Sequence, residues 1–224
     1  MQKFDTPAPI SALFDIQAGR VQIIAADRTD TRVEVRPANP ARTRDVKLAE
    51  RTTVECADGI LRITAKAATT NRILGPSGSV EVTVRLPAGS HITAKAAGAE
   101  FRGVGRLGEV AFDGAQGRVK LDEAAGARLA VLAGDVIVGR LTGPADVRTH
   151  KGDIRIDEAV RGTVTLRTQQ GQISVGAARG ISATLDAGTS FGRIDNALKN
   201  SDGAAADLRI HATTAHGDIT ARSL

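Results

Sequence analysis

Along much of the chain a glycine is followed by one polar residue and then by apolar residues at alternate positions. The pattern recurs as Gly19 Arg20 Val21 Gln22 Ile23, Gly117 Arg118 Val119 Lys120 Leu121, Gly134 Asp135 Val136 Ile137 Val138 and Gly152 Asp153 Ile154 Arg155 Ile156. It continues through Gly171 Gln172 Ile173 Ser174 Val175, Gly192 Arg193 Ile194 and Gly217 Asp218 Ile219. Alternation with a period of two marks short β-strands that bury one face. Val21, Ile23, Leu61, Ile63, Val119, Leu121, Val136, Val138, Ile154, Ile156, Ile173 and Val175 are the predicted inward residues. Gln22, Arg62, Lys120, Arg155, Ser174, Asp195 and Thr220 face water. A slip of one residue would exchange the faces, so the register is strongly specified.

A second alternating run ends just before each glycine, as in Val147 Thr149, Val164 Leu166 Thr168, Leu185 Ala187 Thr189 and Leu208 Ile210 Ala212 Thr214. Two strands per repeat with glycine corners, at a period of about 18 to 20 residues, predict one coil of a solenoid. A β-sandwich would also give short strands and frequent turns, but the same residue type at the same place in successive repeats favours the solenoid. The expected fold is therefore all-β, a single-domain parallel β-solenoid over residues 1–224. Right-handed coiling follows from the crossover rule for parallel strands. Coils stacked at about 4.8 Å would make a rod of roughly 50 Å.

Gly59 and Gly98 read as members of the same series with intervening glycines missing. At Gly98 the phase breaks, because Glu100 takes an apolar position before Phe101, and a bulge would restore it. The segment 37–52 holds Pro37, Pro40 and a charge-rich run, and is expected to form a cap insertion with a short helix. Asn71 to Ser79 and Asn200 to Ala206 read as surface loops.

Composition narrows the picture. The 224 residues are 42% hydrophobic, yet include only five Phe, one Met and no Trp or Tyr, with 24 Gly. The core is therefore aliphatic and small, and stacking platforms for sugars or unpaired bases are missing. Charged residues make up 25% and the net charge is +5, which suits neither a disordered chain nor a polybasic nucleic-acid tail. Cys56 alone excludes an internal disulfide and a multi-cysteine zinc site. Without an apolar leader after Met1 or a membrane-length run, the expectation is a soluble cytoplasmic protein.

Several residues invite chemistry. Asp135, Asp153 and Asp218 follow repeat glycines, but calcium rolls carry a far denser acidic repeat, and this column also holds Arg20, Arg118, Gln172 and Arg193. The aspartates are expected to bond the corner backbone. Thr149, Thr168, Thr189 and Thr214 form an inward ladder rather than an exposed ice-binding plane. His91, His150, His211 and His216 are too scattered for a metal motif. Cys56 occupies the threonine slot before Gly59 and is expected to be buried and inert. Gly103 Val104 Gly105 Arg106 Leu107 Gly108 matches a dinucleotide fingerprint without its helix or acidic residue. Arg148 and Arg167 share a column with Arg155 near by, a candidate basic face for an anion or partner, against the default of a solvated surface.

The Gly-Asp-Ile-Arg-Ile and Gly-Asp-Val-Ile-Val rungs resemble a family of bacterial β-strand-repeat proteins of unknown function labelled putative adhesins. The opening Phe4 Asp5 Thr6 Pro7 and the segment from Ala18 to Ala25 share the likeness. Asp27 to Pro37 is similar to soluble actinobacterial members. The resemblance implies the solenoid fold over nearly the whole chain and carries no catalytic residue across.

The sequence thus points to a non-enzymatic scaffold or adhesin-like protein that binds a macromolecule, expected to be a protein, with no catalytic residues, metal, cofactor or nucleic acid. Two alternatives stay open. One is a polysaccharide-binding or pectin-lyase-like enzyme, which needs converging Asp, Lys and Arg on an outer face. The other is a homo-oligomer or end-to-end filament built through uncapped coils, favoured by apolar terminal rungs and opposed by charged or helical covers.

Overall fold

The computed structural model describes residues 1–65 and 78–224, so most of the expected loop from Asn71 to Ser79 lies outside the described residues. The chain forms two compact units, Met1–Gly117 and Arg118–Leu224. Both are almost wholly β-structure.

The first unit contains β1 (Gln2–Asp5), β2 (Ser11–Ala26), β3 (Asp30–Pro37), helix α1 (Thr43–Arg51), β4 (Thr53–Ala57), β5 (Ile60–Ala65), β6 (Val80–Pro87) and β7 (His91–Gln116). β2 is its centre. On one side Ser11–Ile16 pairs in parallel with β5 and Gly19–Ala26 with β6; on the other, β2 pairs in parallel with β7. Phe14, Ile16, Val21, Ile23, Ile63, Val84 and Phe101 on these paired strands are buried. The Phe101 and Phe112 rings meet tilted, with centroids 5.2 Å apart.

Antiparallel strands close this unit: β3 on β6, β1 on β3 and β4 on β5. α1 falls within the 37–52 segment and buries Leu48 beside β3, β5 and β6. Its acidic first turn and basic last turn match the helix dipole. Asp45 is buried and accepts backbone N–H bonds from Asn39 at 3.1 Å and Ser79 at 3.0 Å, which ties the helix start to the neighbouring loop. At the start of β3, hydrogen bonds from Arg32 and Arg28 hold the Asp30 carboxyl down at about 2.

Two local expectations change here. Asp58 and Gly59 both have positive φ, at 51° and 71°, and link β4 to β5 as a two-residue hairpin, not as a solenoid corner. Cys56 therefore sits on an antiparallel strand opposite Leu61 and is half-buried, not buried; burial pushes its thiol pKa up. The β2–β7 register also runs without a shift through Gly98. Ala99, not Gly98, pairs with Gly19, so Glu100 falls outward and Phe101 inward without a bulge.

The second unit contains β8 (Val119–Ala133), β9 (Val136–Leu141), β10 (Ala145–Lys151), β11 (Ile154–Ala159), β12 (Gly162–Gln170), β13 (Ile173–Ala177), β14 (Ala183–Phe191), β15 (Ile194–Ala197), β16 (Leu208–His216) and β17 (Ile219–Ser223). They form two parallel rows. One runs β8–β10–β12–β16–β14, and the other β8–β9–β11–β13–β17–β15. The inward residues Val136, Val138, Ile154, Ile156, Ile173 and Val175 are at most 1% exposed.

Stacking order departs from chain order at the end. The last coil, β16–β17, is intercalated between the β12–β13 coil and the β14–β15 coil. Burial explains the choice: Leu208, Ile210, Ala212, Ile219 and Ala221 supply a fully apolar inner column, all at most 1% exposed. The β14–β15 coil brings Asn196 to an inward position and is left outermost, where that amide meets water.

Candidate interaction surface

Regular corners position every outward side chain of the second unit. At the four corners before Gly152, Gly171, Gly192 and Gly217 a threonine two residues beyond an inward residue turns its hydroxyl to the preceding coil; at the first corner, before Gly134, Val131 holds that place. Thr168 donates to the Gly152 carbonyl at 3.1 Å, Thr214 to Gly171 at 3.1 Å and Thr189 to Gly217 at 3.1 Å; Thr149 reaches Gly134 at 3.5 Å. These hydroxyls are committed to backbone and form no exposed plane.

The corner aspartates act in the same direction. Asp135 accepts from the Asp153 N–H at 3.1 Å, Asp153 from Gln172 at 2.8 Å and Asp218 from Arg193 at 2.8 Å. The Arg193 N–H lowers the Asp218 pKa below the ordinary carboxylate range. Each carboxylate therefore staples one coil to the next. Among the described residues no group of three or more His, Cys, Asp or Glu is placed to hold a metal ion.

The histidines stay apart. His91 Nδ1 lies 3.1 Å from the Glu109 N–H, His211 Nδ1 lies 3.2 Å from Asp186, and His216 stacks on Phe191 with centroids 4.9 Å apart. Gly103 to Gly108 lies inside β7, with no helix following.

Of the three arginines singled out by sequence, the structure brings two together. Arg148 on β10 and Arg167 on β12 are direct partners in register, and Arg167 faces Thr213 on β16. Asp146, two residues away on the same strand, hydrogen-bonds the Arg148 guanidinium and raises its pKa further. Arg167 is exposed and has no ion pair among the described residues. Arg155 lies on the other row, beside Ser174, and is held by Asp157.

Arg155 borders a shallow depression of about 210 Å³ that is also lined by Asp157, Ser174, Thr220 and Arg222. Sequence reasoning missed Arg222. It reaches this place because β17 stacks directly on β13, opposite Gly176, an adjacency that chain order does not reveal. The pairing of Arg148 with Arg167, by contrast, was visible as equal spacing from successive glycines.

A family model described as Toastrack DUF4097 matches residues 14–223. Comparison with curated proteins gives no match. Among solved structures the chain is similar to a putative adhesin from Bacteroides fragilis NCTC 9343, at 15% identity over 98% of this chain and 95% of that one, with a TM-score of 0.58. It is also similar to a putative adhesin from Parabacteroides distasonis ATCC 8503, at 18% identity over 100% and 95% of the two chains, with a TM-score of 0.46. At such identities the Bacteroides likeness speaks for the fold alone. No helix among the described residues is long and apolar enough to cross a membrane. The glycine-cornered β-repeats and the family match coincide over nearly the full length, and the chain belongs to the Toastrack DUF4097 family.

Proposed function

We propose that this protein is a non-enzymatic, adhesin-like scaffold that binds another protein through the outward face of β10, β12 and β16. The reading takes residues 1–224 as one right-handed solenoid domain with coils of about 18 to 20 residues. The observation that carries it is the Arg148–Arg167 column. Two guanidinium groups sit on adjacent, rigidly paired strands, and that of Arg167 has no ion pair among the described residues. A fixed charged column on a stiff sheet loses little entropy on binding and matches acidic side chains at strand spacing. The adhesin naming of the Bacteroides structure supports the same direction.

An enzymatic reading would draw on the depression beside Arg155. Of its lining carboxylates, Asp157 is engaged by Arg155 and Asp218 by the Arg193 backbone. Both acids are held in structural contacts, which favours the scaffold.

The test uses purified protein as bait, with the Arg148→Glu/Arg167→Glu double variant and Arg155→Glu as separate controls. The expected result is a partner that is retained by wild type and by Arg155→Glu, but lost by at least about tenfold in affinity with the double variant, since two charges are reversed at one interface. Equal retention by all three baits, or glycan binding without a protein partner, overturns the proposal.

A further inference from the structure

The second unit ends in an open coil. Among the described residues β14 forms a ladder only with β16, and β15 only with β17. The outer edge of β14 is engaged at its start, where the Ala183 N–H donates to the Lys199 carbonyl at 3.0 Å, and beyond that point no further strand among the described residues lies along either. The inner residues of this coil are buried or half-buried along β14 and uncovered along β15. Ile194 is 46% exposed, whereas its partner Ile219 one coil inward is 1% exposed. Phe191 rests one face on His216 and is 69% exposed. An edge that is both apolar and unpaired is a ready template for another strand, and stable proteins usually cover it.

We propose that this edge is the face through which two copies of the chain pair, with the segment Arg193–Asp195, which covers the start of β15, antiparallel to the same segment of the second copy about a two-fold axis through Ile194. Charge complementarity selects that occupant and that register. β15 is flanked and punctuated by Arg193 and Asp195, and Arg193 is 91% exposed at its side chain. An axis through Ile194 sets Ile194 against itself and each Arg193 opposite Asp195 of the other copy, twice by symmetry. An axis through Asp195 would oppose two aspartates, and one through Asn196 would oppose Arg193 to Lys199. Opposite charges across an antiparallel pair stabilise it, and like charges there destabilise it.

The assembly closes at two. In the first unit the outermost strands, β1 and β4, are only 4 and 5 residues long and carry Lys3, Asp5 and Glu55, and α1 is packed beside β3 and β5. Short, charged and helix-flanked edges discourage further strand addition. With one self-complementary open edge among the described residues, the expected product is a dimer and not a filament.

Sedimentation equilibrium under reducing conditions tests this with wild type, Arg193→Asp, Asp195→Arg and an equimolar mixture of the two variants. The expected results are a monomer–dimer equilibrium for wild type and a dissociation constant weakened by about tenfold or more in each variant alone. The mixture regains the dimer, because one variant then carries acidic groups at both positions, the other basic groups at both, and every pair across the axis is again of opposite charge. Ile194→Lys places two charges on the axis without touching the Arg193–Asp218 contact, and is expected to be monomeric. A wild type that stays monomeric at all concentrations, growth beyond the dimer, or a mixture no tighter than its separate components overturns the proposal.

Discussion

Gly217→Val is expected to destabilise the second unit by on the order of 3–5 kcal/mol, while Gly98→Ala leaves the first unit within about 1 kcal/mol of wild type. The two glycines look equivalent as members of one repeat series. Gly217 has φ +149°, a conformation that side-chain-bearing residues rarely adopt, and a Cβ there would lie 2.0 Å from the Gly171 carbonyl oxygen. The clash is with backbone of the stacked coil, so relief would require the β13–β17 pairing to open. Gly98 has no atom within 4 Å of an added Cβ and lies in an uninterrupted strand. Chemical denaturation of the two variants, followed by circular dichroism, measures the difference. Equal destabilisation would contradict the corner geometry.

Removal of residues 208–224 is expected to unfold more than it deletes. β16 and β17 are the only strands that β14 and β15 pair with among the described residues. Without them, the amides of β14 and β15 lose their protection although those residues remain in the chain. The deletion also strips the inner faces of β12 and β13, where Val164, Leu166, Ile173 and Val175 are at most 1% exposed. Each large apolar side chain in the lost coil contributes about 1.5–3 kcal/mol by burial. Hydrogen exchange on the truncated protein reads the result directly. Retained protection over β14 and β15 would mean that they stack on β12 and β13 instead.

The strand pattern was legible because burial imposes a period of two that the side chains must obey. Val136, Ile154 and Ile173 could be placed inward from their spacing to the preceding glycine alone. The threonine ladder was legible for the same reason, since Thr168 and Thr214 are in phase with Leu166 and Ala212. What periodicity does not encode is which coil lies against which. Every coil shows the same glycine-polar-apolar frame, so Gly192 and Gly217 are interchangeable as repeat members, and only the inward Asn196 hints that its coil belongs at the edge. Gly59 misled for a related reason. Asp58-Gly59 is a strong hairpin dipeptide, and its distance from Gly19 resembled two repeats. On the surface, equal spacing joined Arg148 to Arg167, whereas Arg222 depends on the intercalated coil and had no local signal.

Intercalation of the last coil determines both the open edge and the surface around Arg222, and cross-linking tests it most directly. In a Cys56→Ser background, Arg167→Cys is combined either with Thr213→Cys or with Gly188→Cys. Arg167 and Thr213 are direct register partners, within the Cα span that a disulfide bridges, whereas Gly188 lies one strand further out, roughly 9–10 Å away. Rapid oxidation of the 167–213 pair with no intramolecular bond in the 167–188 pair is the expected result. A bond between 167 and 188 with none between 167 and 213 would contradict the intercalated stack.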